Sequence, residues 1–152
     1  MRHPLHDYTQ ACGYFVTSVA YQRANLFGSL LGGEFQPSRF GEAVAAVWSE
    51  LPAAFPSLTL DAFQLMPDHV HCILIITHLP VSASCATPGY GLPQVMQALK
   101  RRSALQINRL RDSPGQRVWQ EGYVDRIIRN ERELEKYRSY TLTNPLRSNL
   151  GR

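Results

Sequence analysis

Met66-Pro67-Asp68-His69-Val70-His71-Cys72-Ile73-Leu74-Ile75-Ile76 is the stretch on which the fold turns. The apolar run after the histidines is too short and too β-rich for a buried helix, so it reads as a strand. On a strand, positions i and i+2 share a face. His69 and His71 therefore project side by side, near enough for their imidazoles to share one ion, while Cys72 points the other way. Pro67-Asp68 reads as a turn that sets the pair at the mouth of the strand. Two histidines on a half-exposed strand need no ligand, but this strand is otherwise apolar enough to be buried. Burying their ring nitrogens without partners costs roughly 1–3 kcal/mol per group, which a metal or a phosphate offsets. Two imidazoles suit several metals and leave coordination positions open, which points to a catalytic rather than a structural site.

Working upstream, residues 57–66 alternate Leu58, Leu60, Phe63 and Leu65, a second core strand with an irregularity near Asp61. Phe40, Ala43, Val44, Val47, Trp48 and Leu51 recur at helical steps, so an amphipathic helix starts at Pro37-Ser38 and is expected to end at Pro52. Residues 26–36 carry Gly32-Gly33 between short apolar stretches, a small hairpin. Residues 13–20 are rich in aromatic and β-branched side chains and form the first strand, after a polar lead-in.

Downstream, residues 80–93 form an unpatterned, exposed loop. Residues 94–110 are a second helix, with Val95, Ala98, Leu99, Ile107 and Leu110 apolar, ended by Asp112-Ser113-Pro114-Gly115. Val118-Trp119 and Tyr123-Val124 bracket Gln120-Glu121-Gly122, a short strand or hairpin leading to Ile127-Ile128. Asn130 caps a last helix, with Glu133 as its capping-box partner, and Pro145 is expected to stop it just after Thr143. Without the small hairpin and the final helix the order is βαββαβ. That is an α+β, ferredoxin-like split pattern with an antiparallel sheet, in one domain over residues 1–152.

Composition sets the remaining bounds. Sixteen Lys and Arg against twelve Asp and Glu give a formal charge of +4, a mild excess consistent with a polyanionic partner. Cys12, Cys72 and Cys85 are odd in number and show no CxxC spacing, which argues against a disulfide framework. Neither a signal-peptide core nor a bilayer-length apolar run is visible, so a reducing cytoplasm is expected, with no membrane partner.

The last helix offers partners for the histidines. Tyr137 and Tyr140 lie three residues apart and Asn144 four beyond Tyr140, a spacing that puts them on one helix face. A phenol attacks poorly at neutral pH unless a cation or base activates it. A metal on His69 and His71 would polarise a phosphodiester while Tyr140 attacks phosphorus, with Asn144 giving its carbonyl oxygen as a third ligand. Tyr123 and Tyr137 read as packing or stacking residues. Lys100, Arg101, Arg102 and Arg109 form either a solvated helix face or a set of phosphate contacts along a DNA hairpin stem, and Arg126 and Arg129 extend the track.

Taken together, these residues resemble a known family. Met66-Pro67-Asp68-His69-Val70-His71 is similar to the His-hydrophobe-His signature of HUH single-strand nucleases. Gly13-Tyr14-Phe15-Val16-Thr17, Leu26-Phe27-Gly28, Val118-Trp119-Gln120 through Asp125-Arg126-Ile127-Ile128-Arg129, and Tyr140-Thr141-Leu142-Thr143-Asn144-Pro145 narrow it to the REP-associated tyrosine transposases, relatives of insertion-sequence transposases. The likeness runs from about Gly13 to Asn149. It implies a divalent metal, Mg2+ or Mn2+, held by His69, His71 and Asn144. It also implies that Tyr140 cuts single-stranded DNA beside a hairpin through a 5′-phosphotyrosine, in a monomer or a homodimer associated with the bacterial nucleoid. Asp68 stands where many relatives carry Asn or Glu, and either adds negative charge near the ion or makes the turn. Two other readings share the same fold: a protein that grips DNA hairpins or RNA without cleavage, the RNA form resting on Tyr14 and Phe15 as exposed aromatics of the first strand, and a metal phosphodiesterase in which water attacks.

Overall fold

The computed structural model describes residues 11–77 and 90–151, with residues 11 and 143–151 described by backbone alone. The polar lead-in, most of the 80–93 loop, Cys85 and the side chain of Asn144 lie outside the described residues. The elements are β1 (Ala11–Val19), β2 (Gly28–Leu31), β3 (Glu34–Pro37), α1 (Arg39–Ala54), β4 (Leu58–Leu65), β5 (His69–Thr77), α2 (Leu92–Leu110), β6 (Val124–Ile128) and α3 (Glu131–Gly151). The main sheet has the order β4-β5-β1-β6 with every pair antiparallel, the ferredoxin-like arrangement expected from the element order. β2 and β3 form the separate hairpin, turned by Gly32 and Gly33 at φ values of 59° and 83° that glycine adopts without strain.

β5 is paired on both edges and buried along nearly all its length, which is why it reads as a continuous apolar run. Its alternation divides the core. Val70, Cys72, Leu74 and Ile76 join Val16 against Val44, Val47 and Leu51 of α1 and Val95, Met96 and Leu99 of α2. Ile73 joins Phe15, Ala62 and Ile128 against Leu134 of α3, with Tyr137 and Tyr140 packed alongside. Helices α1 and α2 thus cover one face of the sheet and α3 the other, and the histidines belong to the α3 face.

The irregularity near Asp61 is a β-bulge. Leu60 pairs with Leu74 and Ala62 with Ile73, so Asp61 is an extra residue. The shift turns Ala62 and Gln64 onto the α3 face. Three residues join β4 to β5, and the Met66 N–H donates to the His69 carbonyl at 2.8 Å, closing the turn that holds Pro67 and Asp68. Ser38 caps α1 by accepting the Gly41 N–H at 3.0 Å. A side chain at Gly41 would place its Cβ 2.1 Å from the Phe27 carbonyl oxygen, so only glycine lets α1 approach this closely.

Four local expectations are corrected. Helix α1 runs two residues past Pro52 to Ala54, because the Phe55 N–H still closes the last turn on the Leu51 carbonyl. Helix α3 likewise continues past Pro145 to Gly151: a proline removes one backbone bond and crowds the preceding turn, a cost rather than a prohibition. Val118-Trp119 is not a strand. Trp119 makes one bridge with Ala20 and donates its indole N–H to Ser103 Oγ at 3.0 Å, and Gly122 (φ 79°) turns the chain before β6 begins. Leu110 is exposed, while Asn108 is buried and donates its amide N–H to the Gln116 carbonyl at 2.8 Å. Among the described residues, no helix is long and apolar enough to cross a membrane.

Candidate active site

Cross-strand register assembles the site. On the α3 face one row reads Gln64, His71, Thr17, Val124 across β4, β5, β1 and β6, and the next reads Ala62, Ile73, Phe15, Arg126. His69 pairs with Val19 at the end of β1, one step beyond His71. Both histidines are buried, and their Nε2 atoms face each other at 3.2 Å.

Each ring is oriented from behind. His69 Nδ1 lies 2.6 Å from Asp68 Oδ1, and the other carboxylate oxygen lies 3.3 Å from Arg23 Nε. His71 Nδ1 lies 2.9 Å from Thr17 Oγ1. A carboxylate only accepts, so Asp68 takes the Nδ1–H of His69. Across the gap between the rings, one Nε2–H donates to the other imidazole. Burial, then the neighbouring His69, pushes the His71 pKa down to about 4, so its ring is neutral at pH 7. Burial works to raise the Asp68 carboxyl, but the hydrogen bond with His69 and the fields of His69 and Arg23 outweigh it and hold the pKa low.

This donor set fits a divalent ion. The proton between the two Nε2 atoms is what a cation would replace, and a turned Thr17 hydroxyl then accepts the Nδ1–H of His71. A carboxylate behind a ligating histidine fixes its tautomer and strengthens it as a ligand. Among the described residues no third His, Cys, Asp or Glu joins the pair. The side chain of Asn144, the expected third ligand, lies outside them.

Helix α3 delivers Tyr140 to the same place. Asn130 Oδ1 caps it by accepting the Glu133 N–H at 2.9 Å, and the Glu133 carboxylate reaches back to the Arg129 N–H at 2.8 Å. Leu134 is fully buried against the sheet. The Tyr140 ring meets that of His71 edge-on, with centroids 5.5 Å apart, and that of Phe15 at 5.8 Å. Tyr137 stacks on Phe15 at 4.8 Å, and Phe15 stacks on His71 at 5.4 Å. Arg138 forks onto the bulge residue, with Nε 3.0 Å from Asp61 Oδ1 and Nη2 2.7 Å from Oδ2, and also pairs with Glu135. A cavity of about 500 Å³ opens between β1 and α3, lined by Phe15, Thr17, His71, Lys136, Tyr137, Ser139 and Tyr140.

The structure thus brings together His69, His71 and Tyr140, with Tyr137 in the wall of the cavity. It divides the expected DNA contacts. Arg126 lies on the α3 face of β6, whereas Lys100, Arg101, Arg102 and Arg109 sit on α2 across the sheet. Lys100 also donates to the carbonyls of Gln120 and Gly122, holding the turn before β6, and its ammonium lies 5.9 Å from the Tyr123 ring. Tyr123 packs against the α1/α2 core, away from the histidines. Sequence reasoning missed Thr17, Arg23 and the Asp61–Arg138 pair. The bulge was a hint of the last, but no spacing rule joins residues 77 apart.

A model of the IS200-like transposase family matches residues 53–144, from the last turn of α1 through Asn144. An uncharacterized protein of Haemophilus influenzae is 27% identical over 151 residues, covering 93% of this chain and 84% of that protein. Among solved structures, a REP-associated tyrosine transposase bound to a REP hairpin superposes with a TM-score of 0.62 at 17% identity, covering 90% of this chain and 68% of that one. A candidate transposase from Deinococcus radiodurans gives a TM-score of 0.55 at 20% identity, over 88% and 89% of the two chains. Both share the fold.

Proposed function

This chain belongs to the IS200-like transposase family, and from that premise we propose that it is a metal-dependent endonuclease and strand transferase acting on single-stranded DNA. In this reading it cuts beside a DNA hairpin and keeps the broken bond as a 5′-phosphotyrosine on Tyr140. The observation that carries the proposal is the edge-on approach of the Tyr140 ring, 5.5 Å from a histidine whose Nε2 faces that of its neighbour.

His69 and His71 would hold Mg2+ or Mn2+ through Nε2, with Asn144 as the third protein ligand. When bound, such an ion supplies Lewis-acid polarisation of a phosphate oxygen. The protein's own residues do the rest. Asp68 and Thr17 fix the imidazoles so that the nitrogens facing the ion do not turn away. Leu134 and the Arg138–Asp61 pair seat α3 so that the phenol faces the same spot. The Tyr140 phenol gives up its proton as its oxygen attacks phosphorus, a P–O(Tyr) bond forms, the P–O3′ bond breaks, and the departing 3′-oxygen takes up a proton, so the leaving strand ends in a 3′-hydroxyl. Because one phosphoester replaces another, the reverse attack by a 3′-hydroxyl rejoins DNA without an external energy source.

A hairpin partner is favoured by the likeness to a relative solved with a REP hairpin and by the exposed cations of α2. The test is incubation with a hairpin-flanked single strand and Mn2+, followed by mass analysis of the peptide containing Tyr140. A DNA adduct on that peptide, absent in Tyr140→Phe with binding retained, is the expected result. Cleavage unchanged in Tyr140→Phe would transfer the reading to a hydrolase in which water attacks, and binding without metal-dependent nicking to a hairpin-binding protein.

A further inference from the structure

The cavity beside Tyr140 is walled on one side by Phe15 and Thr17 of β1, and β6, paired to β1 beyond them, carries groups the reaction does not use. Register places Arg126 beside Phe15 and Val124 beside Thr17, on the same face as the histidines. Both are exposed; Val124, an apolar residue on the sheet's α3 face, is 59% accessible. From the other wall, Lys136 lines the cavity with its ammonium 5.6 Å from the Tyr137 ring. Arg132 stands one turn earlier on α3, on the stripe that leads through Lys136 to Tyr140. Three neighbouring carboxylates are engaged or turned away: Glu135 is bound by Arg138, Glu133 by the helix cap, and Asp125 faces the opposite layer in register with Val16. An exposed cation and an exposed apolar side chain on β6, beside a cavity lined by Lys136 and the phenol, together have the character of a track for a flexible polyanion with apolar bases.

We propose that single-stranded DNA reaches Tyr140 across the α3 face of β6, with Arg126 and Lys136 gripping phosphates on opposite walls and Val124 carrying a base. The inference rests on the proposed function, and it assigns a division of labour. The β6–α3 cleft takes the single strand, and the cations of α2, on the far side of the sheet, are left for duplex. A duplex already has its bases stacked, so it gains nothing from Val124. Single strands held by a basic groove and an apolar platform are bound with strong salt dependence and little sequence preference.

The test measures binding of a labelled twelve-nucleotide dT oligomer and of a blunt hairpin without tails, using Tyr140→Phe protein so that no covalent product forms. Arg126→Gln and Lys136→Gln should each weaken oligo-dT binding several-fold and lower the log–log salt slope by about 0.7. Hairpin binding, melting temperature and Mn2+ affinity should stay as they were. Val124→Ser should weaken oligo-dT alone and leave the salt slope unchanged. Full oligo-dT affinity in the Arg126→Gln/Lys136→Gln double variant, with loss in Arg101→Gln/Arg102→Gln, would overturn the track. Tighter binding of the matching rU oligomer would overturn its assignment to DNA. The two readings fail separately. Oligo-dT binding lost in these variants with no Tyr140 adduct in the wild type keeps the track and removes the nuclease, and an adduct with unaltered binding does the reverse.

Discussion

The two faces of the main sheet are built to different standards. Under α1 and α2, apolar side chains from β1, β4, β5 and two helices form the large core, closed at its edge by Trp119 over Phe27 and anchored on Ser103. Under α3, five buried residues form a small cluster, and polar or aromatic groups lie around it: two histidines, two tyrosines, and a forked ion pair to a β-bulge. The contrast teaches where stability and chemistry reside. The α1/α2 face holds the sheet in register, and the α3 face spends that rigidity on presenting buried polar groups.

Substitutions should separate the two faces. Leu99→Ala, in the large core, should cost about 2–5 kcal/mol of global stability, seen as a cooperative loss in denaturant unfolding. Leu134→Ala removes the same group from the small cluster, and its effect should appear first as faster amide exchange along α3 while β5 stays protected. Equal, global loss of protection in both variants would contradict the division.

Acid should act on the α3 face. The His71 pKa falls from 6.5 to about 4 on folding, so the unfolded chain binds the proton more tightly and stability rises with pH between those values. With metal chelated, about 3 kcal/mol should be lost as pH falls from 6.5 to 4, and His71→Asn should flatten that slope. The groups that face His71 are His69 beside it and Lys136, Tyr137 and Tyr140 across the cavity.

Smaller effects sharpen the comparison within the site. Asp68→Asn should lower Mn2+ affinity 10–100-fold by calorimetry while Tyr140 stays in place, because it weakens the support of His69 alone. Arg138→Gln should act mainly on the tyrosine. It should loosen α3 by about 1–2 kcal/mol and slow adduct formation, with Mn2+ affinity lowered less than in Asp68→Asn because of the three proposed ligands only Asn144 rides on α3, and the exchange Asp61→Arg/Arg138→Asp should restore part of the rate.

The legibility of the chain follows the same divide. Both faces of β5 are buried, so its apolar run announced a central strand, and the period-2 rule alone put His69 and His71 together. The helix carrying Tyr140 was visible from its cap, Asn130 with Glu133. What lay hidden was whatever joins distant segments on the α3 face. Thr17 behind His71, Arg23 behind Asp68 and Arg138 on Asp61 are polar residues of ordinary type, and only the register and the bulge bring them to their partners. The prolines misled because each was read as a stop, whereas both helices continue past the one lost backbone bond. Nor does number alone say which basic residues neighbour the phenol: the densest cluster, on α2, lies across the sheet from it, whereas the single Lys136 of α3 lines its cavity.

The account stands on one juxtaposition, a tyrosine oxygen beside an ion held by two imidazoles. Fluorotyrosine-labelled protein titrated with Mn2+ tests it directly, with the 19F signal of Tyr140 assigned by its absence in Tyr140→Phe. One equivalent of Mn2+ should broaden the Tyr140 resonance severely and that of Tyr123, packed on the opposite face, far less, with the effect abolished in His69→Ala/His71→Ala. A Tyr140 signal that stays sharp while Mn2+ is bound would contradict the account.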